Sequence, residues 1–115
     1  MNNFEEKKYI IKTDKNNEME LYLKNHNNEE LTIMITNKDE VKKYELKCNL
    51  EEFQKNRFFK IFVNIEEIMK ELKNKIDKSI FIEDTNFIII EINIGLTIIN
   101  EILLVMKKKK KIKMK

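Results

Sequence analysis

The side chains that most often carry catalysis are scarce in this chain and lie far apart in the sequence. His26 is the only histidine, Cys48 the only cysteine and Ser79 the only serine. A metal site that joins His26 to Glu29 and Glu30 is conceivable, but no second histidine or cysteine supplies the further ligands of a zinc or iron site. We therefore predict a solvated loop histidine. Ser79 has no triad spacing to His26, and we expect it to cap or flank a strand.

Cys48 alternates with Leu46 and Tyr44, which is the pattern of one face of a strand. No exposed cationic group is placed to lower the pKa of the thiol, so we predict a buried structural cysteine and not a nucleophile. The single glycine of the chain excludes the glycine-rich loops that cradle phosphates. The sequence therefore predicts no enzyme, with no catalytic residue, no cofactor, no bound metal and no small-molecule substrate.

The sequence also bears on the compartment of the protein. Residues 1–6 have neither the basic nor the apolar part of a secretory signal. The most apolar stretch, residues 88–106, is interrupted by Glu91, Asn93, Asn100 and Glu101, so we do not expect it to span a membrane. A lone cysteine cannot form an internal disulfide, which favours a reducing compartment. These features predict an intracellular, cytoplasmic protein.

The charge of the chain is divided between a globular part and a C-terminal tail. Residues 107–115 contain seven lysines, and the rest of the chain holds 16 basic and 20 acidic residues. We predict one globular domain over residues 1–106 and a disordered tail that folding does not require. An alternative function is electrostatic contact of this tail with nucleic acid or an anionic membrane, since lysines displace counterions from phosphates. The tail lysines are Lys107, Lys108, Lys109, Lys110, Lys111, Lys113 and Lys115.

Apolar and polar residues alternate through the first half of the chain, which predicts half-buried antiparallel strands joined by polar turns. A weak candidate strand covers residues 9–13. Three clearer strands follow it. Their inward positions are Met19, Leu21 and Leu23, then Leu31, Ile33 and Ile35, then Tyr44, Leu46 and Cys48.

The period changes at Asn49 from that of a strand to that of a helix. Asn49 with Glu52, and Asn64 with Glu67, have the spacing of capped helix starts. The second helix is predicted to run to about Lys78, with one apolar face. That face consists of Ile65, Ile68, Met69, Leu72 and Ile76.

Four phenylalanines lie between and beside the two helix starts: Phe53, Phe58, Phe59 and Phe62. We expect them to pack between the helices and the sheet. The alternative is that either Phe58 or Phe59 is exposed as a contact, since two successive rings do not easily face inward together.

Period two returns after Lys78. Residues 80–82 suit a strand, and residues 87–106 suit a hairpin with Gly95 at its tip, because glycine adopts a positive φ at no cost. The inward positions of the hairpin are Ile88, Ile90, Ile92 and Ile94, then Ile98, Ile102, Leu104 and Met106. The fold class is therefore α+β, a mostly antiparallel β-sheet or sandwich of about seven strands with a helix-turn-helix inserted between strands four and five.

The outward face of the last hairpin is apolar as well. It carries Ile89, Ile99, Leu103 and Val105, and Leu96 lies at the tip. Two apolar faces indicate either a central strand that is buried on both sides or an exposed patch used for association. We predict that these five residues form the contact surface for a protein partner or a second copy of the chain.

The order of four strands, a helical hairpin and three strands resembles the globular head shared by the centriolar cartwheel protein and the end-joining scaffold proteins of DNA repair. The resemblance covers residues 8–106, and its most specific piece is the hairpin segment 87–96. The cartwheel protein has an exposed aromatic at this tip for head-to-head pairing, and Leu96 takes that position here. The resemblance implies a non-enzymatic interaction or self-association module, such as the head of a cytoskeletal or scaffold protein.

Overall fold

The computed structural model of the chain describes residues 4–37, 42–93 and 101–108, with side chains given for 104–107 in the last range. Two short α-helices, α1 (Leu50–Phe53) and α2 (Ile65–Lys75), are accompanied by 3-10 turns at Phe58–Ile61 and Ile76–Lys78. The strands are β1 (Phe4–Lys12), β2 (Glu18–His26), β3 (Glu30–Thr36), β4 (Lys43–Asn49), β5 (Ile80–Glu83), β6 (Phe87–Asn93) and β7 (Glu101–Lys108).

The strands form one sheet in the order β1-β2-β3-β4-β7-β6-β5, and all neighbours are antiparallel. The sheet is curled into a half-barrel, and the helical segment follows β4 and precedes β5. The predicted α+β class and the place of the helices are thus confirmed. Of the two arrangements that the pattern allowed, a single sheet is the one observed.

Helix α2 begins and packs as its sequence predicts. The Asn64 side chain accepts a hydrogen bond from the Glu67 amide at 2.9 Å, and this satisfies one of the free N–H groups of the first turn. The helix packs toward β2 and β3, and the 3-10 turn that begins at Ile76 contacts β6. All five residues of the predicted apolar face are buried: Ile65, Ile68, Met69, Leu72 and Ile76. The shorter helix α1 starts with a complete capping box between Asn49 and Glu52.

The phenylalanines form one aromatic cluster between the helical segment and the sheet. The Phe59 ring makes edge-to-face contacts with Phe53 and Phe58, with 5.3 Å between centroids in both pairs. Phe58 and Phe59 are both buried, at 7% and 0% exposure. The alternative in which one of them is an exposed contact is therefore wrong. Both rings turn inward because a 3-10 turn, and not an extended strand, carries them.

Strand β7 runs to Lys108, two residues beyond the predicted domain boundary at Met106. Lys107 pairs with Glu45 and Lys108 pairs with Tyr44, and these are the two register pairs that join β4 to β7 in the described part of the sheet. The expectation that residues 107–115 are a tail outside the fold is thus incorrect for its first two lysines. Residues 109–115 lie outside the described residues.

Removing residues 107–115 is therefore expected to destabilise the domain. A chain that ends at Met106 loses both β4–β7 pairs, whereas a chain that ends at Lys108 keeps them and is the matched control. We expect the shorter chain to unfold with about 1–3 kcal/mol less free energy than the control in urea, the net worth of a few strand hydrogen bonds. Equal stability of the two chains would show that these pairs do not hold the halves of the sheet together.

Candidate interaction surface

The outer face of the sheet, opposite the helices, differs between its two halves. Over β1–β4 it is mostly charged, although Ile10 is 59% exposed there, and Lys8 and Lys24 lie over the ring of Tyr22 at 5.9 and 5.7 Å from its centroid. Three ion pairs lie on this half of the face: Lys8–Glu20 at 3.4 Å, Lys24–Glu6 at 3.7 Å and Lys47–Glu30 at 3.5 Å. Exposed ion pairs contribute little to stability, but they make the surface hydrophilic.

Over β5–β7 the same face is aliphatic. Ile82 is the register partner of Ile89, and Ile89 is the register partner of Val105, so the three side chains form a continuous line across three strands. Ile80 lies on the same face, two residues before Ile82 in β5. We call these four residues the aliphatic row. Val105 is 46% exposed and Ile80 53% exposed, while Ile82 and Ile89 are half-buried.

The structure places only some of the predicted contact residues. Ile89 and Val105 belong to the aliphatic row, and the backbone of Leu103 pairs with Glu91 in β6. Leu96, Ile99 and the Gly95 tip lie outside the described residues. Ile80 and Ile82 were missed as surface residues, although the two-residue spacing that predicts β5 also puts them on one face.

A cleft separates β4 from β7 beyond their two register pairs. Strand β4 remains paired with β3 up to Asn49, and β7 remains paired with β6 back to Glu101, so the two strands diverge from Glu45 and Lys107. The cleft forms an open cavity of about 330 Å³. Its apolar lining comprises Leu46 and Cys48 of β4, Phe53 and Phe59 of the helical segment, and Leu104 and Val105 of β7, and Glu52, Lys55 and Asn56 supply its polar lining.

Cys48 faces this cleft and is half-buried, not fully buried as predicted. The reason is the divergence of β4 and β7, which leaves the cysteine without a neighbouring strand on one side. Burial raises the pKa of its thiol to about 11, and the carboxylates of Glu52 and Glu30 add to the rise. A thiol with this pKa is almost entirely protonated near neutral pH, so Cys48 is a poor nucleophile.

His26 and Ser79 occupy structural positions. His26 is the last residue of β2 and not a residue of the turn; its ring lies 5.3 Å from that of Phe4 and its Nε2 is 3.3 Å from Thr32 Oγ1. Ser79 directly precedes β5, and its hydroxyl donates to the Lys75 carbonyl at 2.8 Å. In the described ranges, no three histidine, cysteine, aspartate or glutamate side chains come together as a metal site.

A buried carboxylate, Glu83, links the two edges of the half-barrel, and the sequence reasoning did not anticipate it. Its Oε1 accepts hydrogen bonds from Thr13 Oγ1 and Asn17 Nδ2, both at 2.8 Å, and Lys42 Nζ lies 3.7 Å from its Oε2. Asp14 closes the same junction: its amide donates to the Phe81 carbonyl, and its Oδ1 accepts from the Glu83 amide, both at 2.8 Å. The only local signal is that Glu83 occupies the inward position two residues after Phe81.

Comparison of the chain with protein-family models, with curated proteins and with solved structures finds no match in any of the three. Each helix in the described part of the chain is too short or too polar to cross a lipid bilayer.

Proposed function

We propose that this protein is a non-enzymatic interaction module that self-associates through the aliphatic row on the outer face of β5–β7. The observation that carries the proposal is the line formed by Ile82, Ile89 and Val105 across three strands. An aliphatic line on one half of a sheet face whose other half is ion-paired is typical of a surface that another protein covers.

The free energy available from covering the row favours association. Ile80 and Val105 are each about half exposed, so their burial contributes roughly 1 kcal/mol per side chain. Ile82 and Ile89 add smaller amounts, because part of each is already covered by its neighbours. A symmetric contact counts every contribution twice, since both copies bury the same residues.

The charges beside the row suit a second copy of the chain as the partner. Glu91 lies on one side of Ile89 along β6, and Lys107 follows on the other side, beyond Val105 in β7. A two-fold axis along the line of Ile82, Ile89 and Val105 superimposes that line on itself and exchanges its two sides, so that Ile80, the register partner of Glu91, faces the opposite side of the other copy. The acidic side of one copy then faces the basic side of the other, which favours this orientation over a parallel one.

The element order supports a more specific form of the proposal. Four strands, helices and three strands in succession are what the resemblance to the cartwheel and end-joining heads implies. We accordingly propose that the chain acts as the head of a scaffold protein, in which pairing of heads builds a larger assembly.

Charge placed on the row tests the proposal. We expect the double variant Ile80→Glu with Val105→Glu to sediment as a monomer under conditions in which the unmodified chain sediments as a dimer, because four carboxylates would be buried in the symmetric contact. The matched control is Ile61→Glu with Val63→Glu, which changes two equally aliphatic side chains that are 70% and 72% exposed elsewhere on the surface.

The control variant is expected to remain a dimer. An unmodified chain that stays monomeric at all concentrations, or a control that dissociates as fully as the row variant, would contradict self-association through the row. Urea denaturation of both variants establishes that dissociation is not a consequence of unfolding.

A further inference from the structure

We propose that the cleft between β4 and β7 is a second binding site, which takes up an extended peptide segment of another protein as an added β-strand. The proposal does not require self-association, because the cleft opens between β4 and β7 whereas the aliphatic row crosses the outer face of β5–β7; Val105 is the one residue that belongs to both. It follows from the unpaired strand edges and the cavity that lies between them.

The first observation is that the sheet is interrupted within its own plane. In the described part of the sheet, residues 46–49 of β4 and 101–106 of β7 have no register partner across the gap. Beside the gap each strand nevertheless keeps its other neighbour: residues 46–49 pair with β3, and residues 101–106 pair with β6. The cleft therefore presents two rigid strand edges that face each other, and every second residue of each points its amide and carbonyl groups into the gap.

The second observation is the apolar floor of the cleft. Phe59 is fully buried and Phe53 is 3% exposed, and both rings line the cavity from the helical side. Leu46 and Cys48 line it from β4, and Leu104 lines it from β7. The cavity volume of about 330 Å³ is at the lower end of the range for ligand sites, and it admits one or two aliphatic side chains.

Together these observations select a peptide over a small apolar molecule. A fatty chain could fill the cavity, but it would cover the backbone amides and carbonyls of both edges without giving them hydrogen-bond partners, which is costly. An extended peptide fills the cavity and also satisfies the backbone groups of both edges, because its own backbone pairs with the edges while alternate side chains enter the cavity. The side chains that point inward are expected to be aliphatic, and those that point outward polar.

The cleft is also better suited to a strand than the outer edges of the sheet. The open edge of β1 carries four successive charged residues, Glu5, Glu6, Lys7 and Lys8, which discourage strand addition. At the other end of β1, the edge already approaches β5, where the Asp14 amide donates to the Phe81 carbonyl. The β4–β7 gap has no such bridge among the register pairs of the described residues, and its charged lining residues, Glu52 and Lys55, come from the helical segment and not from the strand edges.

The test uses a defined probe on the full chain. The probe is an acetylated peptide of about six residues, the usual strand length, which alternates isoleucine with threonine and has a lysine at each end. The control peptide has the same side chains but carries N-methyl groups on alternate backbone amides, so it cannot donate the hydrogen bonds of a strand. Binding is followed by amide hydrogen exchange and by NMR titration.

We expect saturable binding of the probe, with exchange slowed about tenfold or more at those amides of residues 46–49 that point away from β3. The N-methylated peptide should bind at least about tenfold more weakly, since a loss of one or two net hydrogen bonds corresponds to that factor. Cys48→Trp, which fills the cavity, should weaken binding of the probe peptide by a similar factor, while the near-isosteric Cys48→Ser should retain it. Ile80→Glu should also retain it, because Ile80 lies outside the cleft.

Three results would overturn the proposal. The first is no saturable binding of the probe up to about 1 mM, the limit of weak specific recognition. The second is equal binding of the N-methylated peptide, which would mean that the cavity takes apolar groups without strand pairing. The third is protection that maps to β1 or β5 in place of β4. Should Cys48→Trp fail to fold, the comparison of the two peptides on the unmodified chain decides the matter alone.

Discussion

Replacing Phe59 by alanine is expected to lower the free energy of unfolding by about 3–5 kcal/mol, the usual cost of removing a fully buried aromatic ring. Phe59 has no exposed surface, and its ring packs against Phe53 and Phe58 edge-to-face and against Phe62 at a tilt. The cavity that the missing ring would leave cannot collapse easily, because the sheet bounds it on one side and α2 on another. Urea denaturation measures the loss.

Phe4→Ala is the matched control for this change. It removes the same ring from a side chain that is 54% exposed, at the start of the edge strand β1. We expect it to cost less than about 1 kcal/mol, as most surface substitutions do. Similar losses for Phe59→Ala and Phe4→Ala would show that the aromatic cluster is not the centre of the core.

Glu83→Ala is expected to lower the free energy of unfolding by about 2–3 kcal/mol, because it removes a charged acceptor from the buried junction of the half-barrel. Thr13 Oγ1 loses its partner at a position where the residue is only 5% exposed, and Lys42 loses its ion pair. Glu83→Gln is the matched control: it keeps an acceptor oxygen and removes only the charge. We expect it to cost about 1 kcal/mol. A loss below about 0.5 kcal/mol for Glu83→Ala would mean that the junction closes without the carboxylate.

The same residue gives the stability a defined pH dependence. Burial alone raises the pKa of the Glu83 carboxyl, but hydrogen bonds from Asn17 and Thr13 and the charge of Lys42 outweigh it, so the pKa lies below its ordinary 4.5. The unfolded chain therefore binds the proton more readily. The contribution of Glu83 is present above pH 4.5 and is lost as the pH falls through the lower value of the folded state. The stability difference between the unmodified chain and Glu83→Gln should narrow over that interval.

The elements that sequence reasoning located are those with one buried and one exposed face. Leu21 and Leu23 in β2, and Leu72 in α2, are buried at the positions that the two periods predict. Strand β1 was found only from residue 9 onward because its first half is exposed on both faces, so burial imposes no alternation there. A strand that contacts the core over only part of its length shows the alternation of apolar and polar residues only in that part.

The features that escaped prediction depend on contacts between distant parts of the chain. Glu83 and Thr13 are 70 positions apart, and nothing near Glu83 in the sequence shows that a threonine and an asparagine will meet its carboxylate. The divergence of β4 from β7 has no local signal either, since nothing in the sequence of either strand marks where their pairing stops. The contact surface was predicted in part, from the doubled apolar pattern of the last hairpin, but β5 joined it only once the sheet order was known.

Intermolecular NOEs between methyl groups test self-association through the aliphatic row most directly. An equimolar mixture of isotope-labelled and unlabelled chains, examined with an isotope-filtered experiment, reports only contacts between different copies. A two-fold axis along the row brings Ile82, Ile89 and Val105 of one copy against the same residues of the other. We therefore expect intermolecular NOEs among these methyl groups and none from Val63, which lies elsewhere on the surface. The absence of intermolecular NOEs among the methyl groups of the row would contradict self-association through it. Intermolecular NOEs from Val63 without any from the row would place the contact elsewhere and would contradict it as well.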